Sequence, residues 1–117
     1  MDYTQINTFE KALEFKGETL EQFNDRTKGM DIDMKGLAKI HVIVFALNGG
    51  KHVKRGYYPW FYNPNRSSSS FSFYDYDYDI DDAGVGARQL LETRELARYA
   101  GRTFLLEYSQ YINNTND

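Results

Sequence analysis

The fold is decided by Phe71-Ser-Phe-Tyr-Asp-Tyr-Asp-Tyr-Asp-Ile-Asp-Asp82, a stretch that alternates aromatic or apolar residues with aspartates from residue 74 to residue 80. A period of two is the period of a β-strand, whose successive side chains point to opposite faces. The sequence therefore predicts a strand with one apolar face and one acidic face. The apolar face would carry Tyr74, Tyr76, Tyr78 and Ile80, and the acidic face Asp75, Asp77 and Asp79, with Phe71 and Phe73 upstream on the acidic side.

Length and composition predict one domain spanning residues 1–117, and 117 residues suffice for one hydrophobic core. The chain contains no cysteine, which excludes disulfides and thiolate chemistry. No apolar run reaches the roughly 20 residues that cross a bilayer, and the first residues lack the basic and apolar regions of a signal peptide. We therefore expect a cytoplasmic protein with no membrane association.

Helices are predicted on both sides of the strand region. Apolar residues at helical spacing predict helices over residues 4–16 and 34–48, with a short helix between them that begins at Thr19. Gln22 stands three residues after Thr19, in the capping-box position. Gly17 is expected to end the first helix. Thr93 is expected to cap a long final helix that runs from Arg94 to about Ile112.

Two further strands are predicted beside the alternating one. Residues 57–62 favour a strand, and Pro59 should place it at an edge or beside a bulge, because proline has no N–H to donate. Residues 63–70 and 81–84 are typical of turns, and residues 85–91 predict a third strand. The resulting fold class is α+β. We expect a small three-stranded antiparallel sheet, a meander, with the N-terminal helices and the long C-terminal helix packed on one face.

Several segments resemble a family of small uncharacterised proteins of Bacteroidetes phages and prophages. The matching residues are Ala46-Leu-Asn-Gly-Gly50, Tyr57-Tyr-Pro-Trp-Phe61, the serines before Phe71-Ser-Phe73, Val85-Gly-Ala-Arg88 and Glu95-Leu-Ala-Arg-Tyr-Ala-Gly-Arg-Thr-Phe104. They span about the last two-thirds of the chain. The resemblance implies a phage or mobile-element context, and hence the cytoplasm of a bacterial host, but no particular chemistry. The family varies where this chain has its Asp-Tyr run.

No motif predicts an enzyme, a cofactor or a metal site. Asp79, Asp81 and Asp82 lack the later ligands of a calcium-binding EF-hand loop, where Ala83 and Leu90 stand instead, and a looser divalent-ion site among the three aspartates stays open. A row of exposed aspartates provides no apolar pocket that would raise one pKa for acid catalysis. His41 lies on an apolar helix stripe, as a core histidine does, and His52 stands among basic residues.

The sequence instead predicts a binding protein that is not an enzyme. Aspartates on one strand face would attract a basic macromolecule, a host or phage protein, and one hypothesis is an inhibitor of host defence. The residues predicted to contact this partner are Asp75, Asp77, Asp79, Tyr57, Trp60 and Tyr62, or Tyr58 and Phe61 if the other face is exposed.

Two alternatives remain open at this point. Residues 49–66 contain basic residues and aromatics but no acidic residue, a composition typical of single-stranded nucleic-acid binders. That interpretation would use Lys51, Lys54, Arg55 and Tyr58. A minor structural component of the virion is the other alternative. The net charge of −3 argues weakly against a general nucleic-acid binder.

Overall fold

The computed structural model describes residues 2–51, 53–64, 71–80 and 89–114, and for residues 77–80 it describes the backbone. These residues form a 3₁₀ turn at Tyr3–Gln5, followed by five α-helices and one antiparallel hairpin. The elements are α1 (Phe9–Lys16), α2 (Leu20–Arg26), α3 (Ile32–Leu47), β1 (Arg55–Tyr62), β2 (Ser72–Ile80), α4 (Arg94–Thr103) and α5 (Leu105–Asn113).

The predicted helix ends are confirmed where local chemistry sets them. Gly17 ends α1 with φ 83°, a left-handed conformation that glycine adopts without steric cost. Thr19 and Gln22 form the predicted capping box at the start of α2. The Thr93 side chain accepts a hydrogen bond from the N–H of Leu96 and begins α4. Each of these ends depends only on residues close in the chain, so sequence reasoning finds them.

The hydrophobic core surrounds α3. Ile40, Ile43 and Leu47 of this helix are buried, and α1 and α5 pack against it. Gly36 allows a close approach to α5, because a Cβ at this position would lie 2.7 Å from the backbone nitrogen of Tyr111. Helix α1 thus packs against α3, whereas the sequence predicts the N-terminal helices on the sheet.

The predicted C-terminal helical segment is present, and it is interrupted at Phe104. This residue has φ −113° and ψ 37°, outside the helical range, and its side chain is buried. The interruption has a packing reason. Helix α4 lies against both strands, while α5 lies against α3, and one straight helix would not reach both surfaces.

The prediction of a three-stranded sheet is wrong. The described residues form a two-stranded sheet, and Leu91 contributes only an isolated bridge in which it exchanges two backbone hydrogen bonds with Tyr57, at 2.7 and 2.8 Å. In one direction the next hydrogen-bonded pair would join Pro59 to Gln89, but Pro59 has no N–H. In the other direction it would involve Thr93, which already caps α4. The predicted turn at residues 81–84 and the first part of that strand lie outside the described residues.

A β-bulge also corrects the predicted faces of β2. Trp60 pairs with Asp75 and Phe61 pairs with Phe73, so Tyr74 is the extra residue between the two pairs. One extra residue reverses the alternation. Phe73 therefore lies on the inner face that packs against α4, together with Tyr76, and not on the side of Asp75. Tyr74, predicted to share a face with Tyr76, is instead 66% exposed on the outer face.

Gly101 is the point where α4 meets the inner face of the sheet. A Cβ at this position would lie 2.3 Å from Cδ1 of Phe73 and 2.8 Å from Cβ of Pro59. Only glycine permits this separation without displacement of the strands. The Phe61 ring stacks on Phe71 at 4.5 Å and contacts Tyr108 at 4.9 Å, which extends the same layer toward α5.

We expect Gly101→Ala to destabilise the protein even though alanine favours helices. Overpacking costs about 1–3 kcal/mol, which exceeds the ~1 kcal/mol that alanine gains over glycine in a helix. Urea denaturation measures the change in the free energy of unfolding. Glu14→Ala, at an exposed position of α1, is the control and should change it little. A Gly101→Ala protein as stable as the wild type would contradict the close approach.

Removing the hydroxyl group should change the stability of the protein in opposite directions at two tyrosines, the half-buried Tyr99 and the buried Tyr108. The Tyr99 hydroxyl donates to the carbonyl oxygens of Ile6 and Thr4, at 3.0 and 3.2 Å. The Tyr108 hydroxyl is buried with no described polar atom in hydrogen-bonding range, and burial raises the pKa of Tyr108 far above its ordinary value. We expect Tyr99→Phe to lower the free energy of unfolding by about 1 kcal/mol. Tyr108→Phe should leave it unchanged or raise it by about 1 kcal/mol. Thermal unfolding of the two variants side by side checks the signs, and equal losses would contradict this assignment.

Candidate partner-binding surface

Three large aromatic side chains are exposed together on the outer face of the hairpin. Trp60 is 55% exposed, Tyr62 is 60% exposed and Tyr74 is 66% exposed. The Trp60 and Tyr74 rings lie 6.4 Å apart between centroids. The bulge brings Tyr74 to this face, and we call Trp60, Tyr62, Tyr74 and Asp75 the outer aromatic surface. No described helix covers it.

The predicted aromatic contact residues divide between the two faces. Tyr57 is half-buried on the inner face, where its ring meets Tyr76 edge to face at 5.5 Å. Phe61 is half-buried on the same face. Tyr58 is half-buried and pairs with Asp77 in the hairpin. Of the predicted aromatic set, Trp60 and Tyr62 are therefore the ones that the structure brings to the exposed surface.

Asp75 is exposed, and it also has a local structural role. Because Tyr57 directs both of its backbone groups toward Leu91, the Tyr57–Tyr78 pair is a non-hydrogen-bonded pair of the hairpin, and so is Pro59–Tyr76. The N–H of Tyr76 consequently points to the outer edge of β2. It donates to Oδ1 of Asp75 at 2.8 Å. Asp75 thus satisfies a donor that an unpaired strand edge would otherwise present.

The other two predicted aspartates are placed by backbone register. Asp77 pairs with Tyr58, and Asp79 pairs with Gly56. Their side chains lie outside the described part of the structure, as do Asp81 and Asp82. Asp75 is therefore the member of the predicted acidic row whose surroundings are described.

The predicted basic residues do not form one cluster with the exposed aromatics. Lys51 lies 3.8 Å from a carboxylate oxygen of Glu92, and its side chain is 69% exposed. Lys54 and Arg55 are exposed at the start of β1. Trp60 and Tyr62 lie toward the other end of the same strand. His52, predicted to be exposed nearby, lies outside the described residues.

Sequence reasoning missed a row of three arginines along α4. Arg94, Arg98 and Arg102 recur every four residues, and all three are exposed. The guanidinium carbon of Arg98 lies 4.9 Å from the centroid of the Tyr76 ring, and that of Arg102 lies 5.3 Å from the centroid of Phe73. A hydrogen bond with the Tyr57 side chain raises the pKa of Arg94. The spacing of the arginines is visible in the sequence and would have revealed this row.

A pocket of about 380 Å³ opens beside α3 and is lined by Lys16, Arg26, His41, Phe45 and Lys51 among others. Two of its charged groups, Lys16 and Arg26, both pair with Glu18 between α1 and α2. Arg26 donates to both carboxylate oxygens of Glu18, and Lys16 donates to one of them at 3.1 Å. The hydrogen bond from Arg26 lowers the pKa of Glu18. We therefore assign these groups to the packing of α1 and α2.

No protein-family model matches this chain, and neither a curated protein nor a solved structure matches it. In the described part of the chain, every helix is too short or too polar to cross a bilayer. Among the described side chains, no three carboxylate or histidine groups lie close enough together to hold a metal ion. The exposed surfaces of the hairpin and of α4 are therefore the features from which function is inferred.

The role of Asp75 at the strand edge can be tested by substitution. We expect Asp75→Ala to increase self-association, because the freed N–H of Tyr76 can then pair with a second chain. Asp75→Asn retains an oxygen acceptor and should remain closer to the wild type. Sedimentation velocity over a range of concentrations measures the effect. If both variants associate equally, the negative charge and not the hydrogen bond protects the edge.

Proposed function

We propose that the protein is a non-enzymatic binding protein that contacts a partner protein through its outer aromatic surface. The observation that carries this proposal is the joint exposure of Trp60, Tyr62 and Tyr74 on one face of a hairpin whose other face is packed against α4. Tryptophan and tyrosine are the residues that most often dominate binding energy at protein interfaces. Their rings offer a large contact area at low cost in side-chain entropy.

The size of the surface fits the centre of a protein interface. An aromatic side chain contributes roughly 150–250 Å² when it is fully buried. At the observed exposures, the three rings leave roughly 300–400 Å² to be covered, close to half of the ~800 Å² that each partner contributes to a standard interface. The remainder would come from the polar rim, which includes Asp75.

The chemistry of the surface favours a partner that presents a basic side chain among apolar ones. Asp75 pairs with Trp60 across the hairpin, and its carboxylate accepts from the N–H of Tyr76 at the outer edge of β2. Basic side chains of the partner would meet the Asp75 carboxylate at that edge, while apolar side chains of the partner cover the exposed rings. By backbone register the strand continues from Asp75 through Asp77 to Asp79, which pairs with Gly56 toward the opposite end of the hairpin.

The resemblance to phage and prophage proteins supports a partner in the bacterial cytoplasm, a host or a phage protein. Inhibition of a host defence protein is the form of this function that we favour, because a basic cleft that normally holds nucleic acid is the kind of surface that an acidic strand would occupy. A virion component would instead be present at a fixed copy number in purified particles, so particle composition separates the two.

We expect the double variant Trp60→Ala/Tyr74→Ala to lose at least about 100-fold in affinity for the partner, since interface hot spots cost about 2 kcal/mol or more each. The partner is first identified by cross-linking and mass spectrometry, then purified, and its affinity is measured by calorimetry. The thermal midpoint of the variant should change little, because both rings are exposed.

Leu106→Ala is the matched control, because Leu106 is also a large apolar residue and is 67% exposed, but on α5. It should bind the partner as the wild type does. An unchanged affinity for the double variant, or an equal loss for Leu106→Ala, would exclude the outer aromatic surface as the contact. Asp75→Lys should mainly slow association and reduce its dependence on salt.

A further inference from the structure

We infer that the protein has a second binding site, for single-stranded nucleic acid, along the arginine row of α4. This site is separate from the outer aromatic surface and does not depend on the function proposed above. Arg94, Arg98 and Arg102 lie on the side of α4 that borders the inner face of the hairpin. We call them, together with Lys54 and Arg55, the basic track.

Two of the three arginines are held in place by the sheet. Arg98 lies over the ring of Tyr76, and Arg102 lies over the ring of Phe73. The order of the contacts follows the order of the arginines along the helix. A guanidinium that lies against a ring loses little additional freedom when it binds an anion, so the row is preorganised.

The arginines carry charge that the described residues do not neutralise. The ion pairs among the described residues join Lys16 and Arg26 to Glu18, and Lys51 to Glu92. None of the three arginines of α4 has a described carboxylate oxygen within 4.0 Å. Each guanidinium therefore retains N–H donors in the planar fork that matches a phosphate group.

A backbone bridge connects the segment before the row to β1. The isolated bridge between Tyr57 and Leu91 joins β1 to the residues that lead into α4, and Arg55 stands two residues before Tyr57. Lys54 precedes Arg55, and both are exposed. The bridge thus brings the start of β1, with these two basic residues, toward the N-terminal end of α4, which is far away in the sequence.

The linear arrangement favours a polymer with a charge on every unit. Four residues of helix advance about 6 Å, so the three arginines span about 12 Å at regular intervals. A flexible single strand can align successive phosphates with such a row, whereas a folded acidic protein would need carboxylates at a matching spacing. The guanidinium groups of Arg98 and Arg102 lie over the half-buried rings of Tyr76 and Phe73, so the exposed guanidinium planes are the groups on which an unpaired base would stack.

Asp75, the aspartate of the acidic strand whose side chain is described, does not face the arginines of α4. It pairs with Trp60 and lies on the outer face of the hairpin, while Arg98 and Arg102 contact rings of its inner face. Salt screens the interaction between exposed charges, with a Debye length of about 8 Å at physiological salt. The net charge of −3 then opposes binding mainly at low salt and at long range. The site should recognise phosphates without reading sequence.

The test is fluorescence anisotropy with a labelled oligothymidine of about 15 nucleotides, titrated with the purified protein between about 20 and 200 mM salt. We expect binding that weakens linearly in a plot of log affinity against log salt. For single strands the slope falls by about 0.7 for each phosphate contact removed, so Arg98→Gln/Arg102→Gln should reduce it by about 1.4. Arg98→Lys/Arg102→Lys retains the charges and should retain the slope.

The matched control is Lys11→Gln/Lys28→Gln, which removes the same two charges from exposed positions on the N-terminal side of the chain. It should bind the oligonucleotide with the wild-type slope. Three results would overturn the inference: no anisotropy change at the lowest salt, an equal loss in both double variants, or tighter binding of a polyglutamate peptide or of duplex DNA than of the single strand. None of these results bears on the partner of the outer aromatic surface.

Discussion

The contact between Gly101 and the inner face of the hairpin is the constraint on which the remaining surfaces depend. A two-stranded sheet is marginally stable alone, and α4 supplies the apolar layer that it lacks. Because Phe73 and Pro59 approach the helix backbone so closely, the rings beside them lie within reach of Arg98 and Arg102. The same contact leaves the opposite face of the hairpin without a covering layer. The packing of α4 on one face of the hairpin therefore produces both candidate binding surfaces.

Two backbone features then determine which side chains reach which face. The bulge at Tyr74 moves this residue to the outer face and returns Phe73 to the inner one. Pro59 removes the donor that would have continued pairing toward Gln89, so Leu91 remains an isolated bridge. The bulge thereby exposes the Tyr74 ring, and the missing donor of Pro59 leaves most of the outer edge of β1 without a third strand among the described residues. Asp75 compensates for the open edge by accepting the hydrogen bond from Tyr76.

Local chemistry was predictable from the sequence, and non-local pairing was not. The capping box at Thr19, the glycine end of α1 and the Thr93 cap involve neighbours in the chain, and all three are confirmed. The prediction of a third strand was wrong because the pairing of that segment depends on Pro59, which lies in β1. The face assignment of β2 failed because a bulge of one residue reverses a period of two. Pro59 had predicted an edge or a bulge, but not the residue at which the bulge falls.

The hairpin lies between an acidic side chain on its outer face and the basic side chains of α4 on its inner side. Its outer face combines exposed aromatics with Asp75, while its inner side meets the arginines of α4 through half-buried rings. The aromatic residues serve both sides, as free contact area on one and as supports for guanidinium groups on the other. The carboxylate of Asp75 therefore lies on the face of the hairpin opposite to the rings that the arginines of α4 contact. A small chain with net negative charge can in this way present an acidic and a basic surface at once, because one two-stranded sheet lies between them.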